Sequence, residues 1–331
     1  MKKTLALIIA ILMLAVFVVG CADQTTTTSP SAGADQTDKP SDDNEGNDGK
    51  KLTFGLVVKN LSNPYFVTLA DGAKEAAAEL GIEIDVQATT DDTQINEQIN
   101  LLDTMVTQNY DAIIFSPLNN TSAVPWVKRA NDAGVPVINV DTALNDDELK
   151  AQGASVVCKI FTDNISAGEE AAKAIVEAIG GKGKIAMLEG TSGATTAEDR
   201  KTGFYNIIDK EEGIEVVASV DAKYNRNEAY TAMTTILAAN PDIQAVFAAN
   251  DEMALGAIAA IEEAGKTGDI KVIGVNYGEE IQQAMKDGKA YGSVNQDPHW
   301  IGYQAVMCAK DYLDGKELED VYTSESVMML K

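Results

Sequence analysis

From residue 52 to the C-terminus, short runs rich in β-branched residues alternate with longer stretches in which apolar side chains recur at helical spacing. The short runs read LTFGLVV, IEIDVQA, DAIIFSP, PVINVD, ASVVCKIF, GKIAMLEG, EVVASVDA, AVFAAN, IKVIGV and AYGSVNQ. Several long stretches stop at a glycine (Gly81, Gly134, Gly180 or Gly265), where the left-handed conformation that closes a helix carries no steric penalty. Strand and helix in regular turn predict parallel strands with helices on both faces.

Ten strands in about 280 residues are too many for one doubly wound sheet, so two lobes are expected. A repeat agrees with this. The stretches IIFSPLNNTSAVPWVKRANDAGVPVINVD and VFAANDEMALGAIAAIEEAGKTGDIKVIGVN share a strand, a helix ending in Ala-Gly, and a second strand closing on Asp141 or Asn276. The predicted fold class is α/β, with two similar doubly wound parallel-sheet lobes placed face to face.

The first fifty residues read differently. Lys2 and Lys3 precede an unbroken apolar stretch from Leu5 to Val19, the order of parts in an export signal and too short for a comfortable membrane span. Residues 1–20 are therefore expected to be a signal peptide. The run ends in VVGC, which resembles a bacterial lipobox, where the Cys21 thiol takes a diacylglycerol and becomes the new N-terminus. From there to residue 51 the chain is Thr, Ser, Asp, Asn, Gly and Gln, with three alanines as its only apolar residues. Such a segment buries too little surface to offset its ordering entropy, so residues 21–51 are expected to be a lipidated, disordered tether.

Charge and rare residues narrow the function. The chain holds 51 Asp+Glu against 26 Lys+Arg, a formal charge of −25, and removal of the leader makes it more acidic. That balance opposes nucleic-acid binding and attraction to anionic headgroups. The only histidine is His299, in QDPHWIG, so multi-histidine metal sites and Ser-His-Asp triads lack support, and no metal or cofactor is expected. The glycine-rich IGGKGK precedes a strand, the wrong context for a phosphate loop. Cys158 and Cys308 lie among apolar neighbours and are expected as buried free thiols.

In an open parallel sheet, ligands bind beyond the carboxyl ends of the strands. Those ends carry Ser116, Asp141, Asn250, Asn276 and Gln296. Amides both donate and accept, and a carboxylate accepts from two hydroxyls, as a polyhydroxylated molecule requires; such residues also cap helices, and Asn250 before DEMALG could do that. In SNPYF, Asn63 reads as an N-cap and Pro64 as the first helical residue. Tyr65 and Phe66 then fall about 100° apart on the first turn, so one or both should face the cleft, where a flat ring can cover the C–H face of a sugar. The alternative is a ring pair packed beneath the preceding loop.

These residues resemble the periplasmic ribose- and galactose-type sugar-binding proteins of bacterial ABC transporters, and closely the ribose-binding group. The stretches VVKNLSNPYFVTLADGAKEAAAELG, DIQAVFAANDEMALGAIAAIEEAGK and GSVNQDPHWIG carry the likeness. It implies two lobes joined by three crossovers, residues 52–160 with 297–322 and residues 161–296 with 323–331. It also implies a monomer that closes over one monosaccharide or polyol, docks on a membrane permease and sits on the outer face of the cell membrane. Ring-covering and hydrogen-bonding roles fall on Asn63, Tyr65, Phe66, Ser116, Asp141, Tyr224, Asn250, Asn276 and Gln296. The chain departs from the ribose pattern at Thr142 and Glu198, where that pattern has arginine, at Asn276, where it has Asp, and at Lys59, where it has Ser. Arg200 matches a position where the galactose group has its arginine. Thr142, Glu198 and Arg200 therefore join the expected ligand contacts, and an amino sugar enters the candidate ligands.

Other functions find less. A glycosidase needs two carboxylates, and Asp141 with Glu198 could be imagined as the pair. Lactose-repressor-type regulators share the two-lobed core but need a basic helix-turn-helix where this chain has a leader and an acidic tether. A receptor for a sugar-like signal or for chemotaxis would look the same at this level.

Overall fold

The computed structural model describes residues 51–331, so the expected signal peptide, Cys21 and the tether up to residue 50 lie outside the described residues. The first half of the described chain is laid down as β1 (Thr53–Val58), α1 (Pro64–Leu80), β2 (Glu83–Ala88), α2 (Ile95–Thr107), β3 (Ala112–Phe115), α3 (Val124–Asp132), β4 (Val137–Val140), α4 (Asp146–Gln152) and β5 (Cys158–Thr162). The second half repeats the scheme with α5 (Asn164–Ile179), β6 (Gly183–Glu189), α6 (Thr195–Ile208), β7 (Ile214–Asp221), α7 (Arg226–Ala239), β8 (Ala245–Ala248), α8 (Asp251–Glu263), β9 (Lys271–Asn276), α9 (Glu279–Lys286) and β10 (Gly292–Asn295). Helix α10 (Pro298–Leu313) and strands β11 (Val321–Ser324) and β12 (Val327–Leu330) end it.

The strands form two six-stranded sheets, ordered β11-β5-β4-β3-β1-β2 and β12-β10-β9-β8-β6-β7. Strand for strand the orders correspond, with β6 in the place of β1 and β10 in that of β5. The sequence repeat is the pair of units β3–α3–β4 and β8–α8–β9, in equivalent places. Among the described strands, only the β10–β12 pair is antiparallel. The chain leaves the first sheet after Thr162, returns after Asn295, where α10 packs on α1, and crosses again between Ser324 and Val327. The lobe limits expected at 160 and 322 fall inside β5 and β11, which stay paired with each other to Thr162 and Ser324.

Every residue of β3, β4 and β8 is buried, which is why these strands read as continuous apolar runs rather than alternating ones. Helices cover each sheet on both sides. In the first lobe, α1 and α10 supply Leu69, Ala73, Ile301 and Val306 to one core, while α2 and α3 supply Leu102, Met105, Trp126 and Val127 to the other. The second lobe does the same with α7 and α8 on one side and α5 and α6 on the other. Cys158 and Cys308 are free thiols buried in the α1/α10 core.

Helix α1 follows its sequence signals closely. The Asn63 side chain accepts the Tyr65 backbone N–H at 3.1 Å, Pro64 opens the helix, and Gly81 closes it at φ 68°. Helices α5 and α6 approach backbone to backbone. A Cβ on Gly168 would stand 2.2 Å from the Arg200 carbonyl oxygen, and one on Gly203 would stand 2.0 Å from that of Ile165. This close crossing sets how far α6 carries Arg200 toward the middle of the molecule.

Candidate functional site

The first lobe's wall is built on strand ends. Asp141, directly after β4, holds the left-handed backbone φ of 63°. Its Oδ2 accepts the Ser116 hydroxyl at 2.7 Å and the Thr142 hydroxyl at 3.1 Å, and lies 2.8 Å from the Lys59 ammonium. Lys59, one residue past β1, also donates to Thr142 Oγ1 at 2.7 Å. Burial alone would lower the Lys59 pKa, but Asp141 and, further off, Asp92 outweigh it and hold it above the usual lysine range. Burial alone would raise Asp141, and the Lys59 charge with these hydrogen bonds holds it below the usual carboxylate range. Asp92 accepts from the Asn60 amide at 2.5 Å; burial pushes its pKa up.

Aromatic rings stand on both sides. Tyr65 and Phe66 are 5% and 3% exposed, with centroids 5.0 Å apart and planes at 90°. Both line the cavity, so the first turn of α1 presents the pair to it rather than burying it beneath the preceding loop. The Tyr65 hydroxyl reaches Asp141 and Thr162, and burial raises its pKa well above the usual tyrosine value. Tyr224, in the loop after β7 and also at positive φ, faces them from the second lobe. Its hydroxyl lies 3.0 Å from Thr196 Oγ1, and the Arg200 guanidinium lies 5.9 Å from its ring centroid.

Arg200 organises the second wall. It is 4% exposed and donates from Nε to Asn164 Oδ1 at 2.9 Å, from one terminal nitrogen to the Ala249 carbonyl at 2.5 Å, and from the other to Gln296 Oε1 at 2.9 Å. Gln296 passes the network on by donating its amide to Asn276 Oδ1. Asn250 caps α8, its Oδ1 accepting the Met253 N–H at 2.9 Å, and still lines the cavity. The helix-cap and cavity-lining roles thus coexist in one residue.

The two walls meet. The Ala143 N–H donates to Thr195 Oγ1 at 3.0 Å, and the Asn120 N–H reaches the Gly193 carbonyl at 3.4 Å, bridging the lobes over the strand ends. Between them lies a narrow cavity that shares Asn63, Tyr65 and Asn276 with a wider, open groove. Of the residues expected from the sequence, Asn63, Tyr65, Phe66 and Asp141 line it from the first lobe. Arg200, Tyr224, Asn250, Asn276 and Gln296 line it opposite. Ser116 and Thr142 stand one layer behind, both fully buried and bonded to Asp141. Glu198 corrects the expectation. It borders a surface depression with Lys201 and Tyr205, because two residues of helix turn α6 by about 200°, so that the face carrying Arg200 inward carries Glu198 out.

A narrow cavity between two lobes of matching strand order limits the families that fit, and the periplasmic binding protein domain matches residues 54–317. The chain belongs to that family. The ribose import binding protein RbsB of Bacillus subtilis (strain 168) is 37% identical over 281 residues, 85% of this chain and 87% of that protein. A solved ABC transporter periplasmic solute binding protein of Actinobacillus succinogenes 130z, with bound D-allose, superposes with a TM-score of 0.82 at 33% identity, over 85% of this chain and 98% of that one. An ABC transporter solute binding protein of Bacillus halodurans C-125, with bound myo-inositol, gives a TM-score of 0.77 at 29% identity, over 85% and 94%.

Three further residues line the cavity of this periplasmic binding protein: Lys59, Asp92 and Thr196. Lys59 stood out in the sequence only as a departure from the ribose pattern. The strand-end rule, applied to β1 as it was to β3 and β4, marks it directly. Asp92 sits in the loop after β2 and Thr196 in the first turn of α6, after β6, where the same rule marks a segment but no single residue.

Proposed function

We propose that this protein captures one neutral monosaccharide or polyol between its lobes and delivers it to the permease of an ABC transporter. One observation carries the reading. The cavity is walled by rings from both lobes, and its charges cancel, Lys59 and Arg200 against Asp92 and Asp141, with the Asn63, Asn250 and Asn276 amides between them. Rings cover C–H faces and amides pair with hydroxyls, while a wall with no net charge favours no ion. The relatives that bind ribose, D-allose or myo-inositol support the same class of ligand. A catalytic reading has less to stand on, because Asp141 faces the cavity and Glu198 a separate surface depression, so the two carboxylates do not flank a common bond.

The binding residues of this proposal are those that line the cavity, with Ser116 and Thr142 fixing Asp141 from behind. The lobes, divided near residues 162, 296 and 325, work as one monomer that closes by hinge motion. Cys21 tethers it by lipid to the outer face of the cell membrane; replacing Cys21 by Ser releases it to the medium or leaves an unprocessed precursor. Titration calorimetry against pentoses, hexoses, polyols and amino sugars tests the central claim. Saturable binding of one neutral member, at one site per chain, supports it, and heat-silent titrations across the whole panel refute it.

A further inference from the structure

Asp251 lies outside the narrow cavity and borders the wider groove beside it. It opens α8, is 6% exposed, and accepts the Ser293 hydroxyl on Oδ1 at 2.7 Å and the Gly278 N–H on Oδ2 at 2.9 Å. Ser293 Oγ in turn accepts the Tyr277 N–H at 3.0 Å. Both routes tie one carboxylate to the corner 276–278, which leads from β9 into α9. That corner is strained. Asn276 holds φ at 131° and Tyr277 at 60°, where residues with side chains are rarely found. Gly274 makes room for the tie, since a Cβ there would stand 2.4 Å from Asp251 Oδ1. Of the three corner residues only Asn276 lines the cavity, its amide oxygen held by Gln296.

We propose that Asp251 is a positioning residue of the ligand site: its carboxylate holds the 276–278 corner in its strained turn, so that the Asn276 amide faces the ligand without Asp251 touching it. The inference rests on the sugar-site reading of the cavity. It carries a pH dependence. Burial raises the Asp251 pKa to about 6 against the hydrogen bonds from Ser293 and Gly278. Glu252, next along α8, pushes the same way and is paired with Arg226 of α7, which also binds Glu280 of α9. A carboxylic acid offers fewer acceptor sites than a carboxylate. A proton on Oδ2 removes the Gly278 bond, and one on Oδ1 turns the Ser293 bond round. The corner loosens, and affinity falls, as pH drops through about 6.

Calorimetric affinities at neutral pH, with D-ribose, D-allose and myo-inositol as probes, are compared among the native protein, Asp251→Asn, Asn276→Ala and the double variant. Asp251→Asn should bind about tenfold more weakly, and the double variant no more weakly than Asn276→Ala alone, because Asp251 acts through Asn276. Ser293→Ala, which keeps the carboxylate and cuts the relay to Tyr277, should weaken binding in the same direction. Asp92 is present in both proteins, so a pH dependence seen in the native protein and lost in Asp251→Asn belongs to Asp251. Losses that multiply in the double variant, or native-like affinity in Asp251→Asn, overturn the proposal. A sugar-independent readout is the Gly278 amide resonance of the ligand-free protein, expected to titrate near pH 6 in the native protein and to stay flat in Asp251→Asn. If no member of the wider sugar panel binds, the sugar reading falls, and this resonance alone decides whether Asp251 holds the corner; a native resonance that does not titrate overturns it.

Discussion

Lys59 and Asp141 meet at 2.8 Å in the cavity wall, with side chains only 4% and 7% exposed. Thr142 bridges them, accepting from the ammonium and donating to the carboxylate. The likeness to ribose-binding proteins leads one to expect an arginine at position 142. Here the positive charge reaches the carboxylate from the end of β1 instead, and the small Thr142 leaves room for it. A buried carboxylate needs a counter-charge, whichever strand supplies it.

Lys59→Met keeps the length of the side chain and removes that charge. Asp141 would then be buried beside the hydroxyls of Ser116, Thr142 and Tyr65 with no adjacent ammonium, and the expected loss is about 3 kcal/mol or more of unfolding free energy. Lys59→Met combined with Asp141→Asn should recover most of it, since no lone charge remains. Urea denaturation of the three proteins checks this. A single variant as stable as the native protein would show that water reaches the pair.

Asp141 and Asp251 respond to pH in opposite senses. Asp141 is held below 3.8, so its stabilisation is present above that value and is lost as pH falls through its folded pKa. Lys59 is held above 10.5, so its stabilisation is present below that value and is lost as pH rises through its folded pKa. Between these limits the pair contributes a constant amount. Asp251 is raised from 3.8 to about 6, so its contribution, present while it is protonated, is lost as pH rises between those values. Its span corresponds to roughly 3 kcal/mol. Relative to Asp251→Asn, the native protein should therefore gain stability as pH is lowered from 6 to 4, as read by thermal melts of both.

Arg200 is reached only because α5 and α6 touch. Gly168→Ala puts a methyl 2.2 Å from the Arg200 carbonyl oxygen, so α6 must move, and the three acceptors of its guanidinium lie on other elements that do not move with it. The expected result is a stability loss of about 1 to 3 kcal/mol with a larger proportional loss of ligand affinity. Arg200→Lys should weaken binding without the packing defect, because an ammonium cannot span three fixed acceptors as a guanidinium fork does. Equal affinities in Arg200→Lys and native protein would remove Arg200 from the site's supporting network.

The alternation of strands and helices, the α1 boundaries and the two-lobe plan were legible because each rests on local signals: apolar runs, the Asn63–Pro64 start and the glycine stops. The strands β11 and β12 were not. VYTS and VMML are short and partly exposed, and become strands only by pairing with β5 and β10 from far along the chain. Site residues at the ends of β4, β8, β9 and β10 followed from topology. Lys59 and Glu198 exchanged importance for a geometric reason, since a strand end fixes which way Lys59 projects, whereas on a helix the direction of Glu198 depends on a rotation that no motif in TTAEDR sets.

Closure is testable by scattering. The lobes are bridged at Ala143–Thr195 and Asn120–Gly193, a closed arrangement, and the described chain crosses between them at three places, near residues 162, 296 and 325. Few crossings and short bridges permit hinge opening. Small-angle scattering of ligand-free protein should give a larger radius of gyration than at saturating ligand. Identical radii, each equal to that of the closed form, would count against hinge opening.

The ligand itself is the sharpest test. Glu198 lies outside the cavity and Lys59 inside it, so the lining charges cancel and the case for an amino sugar weakens: a ligand ammonium would meet Lys59 and Arg200 as well as Asp92 and Asp141. Ribose is disfavoured for a separate reason. The arginines of the ribose pattern at positions 142 and 198 are absent, Lys59 is a point donor with two contacts already made to Thr142 and Asp141, and the Arg200 guanidinium donates to three protein acceptors. Fork-shaped donors to ring and hydroxyl oxygens are therefore fewer, and each unpaired acceptor costs about 1 to 3 kcal/mol. In a calorimetric panel of D-ribose, D-allose, myo-inositol, galactose and glucosamine, a neutral hexose or polyol should bind most tightly, with glucosamine at least about tenfold weaker than the best neutral member. Tightest binding of glucosamine would mean that Lys59 swings out of the wall when ligand enters. Tightest binding of ribose would mean that Lys59 and Arg200 release their protein partners to the sugar and do the work of the missing arginines.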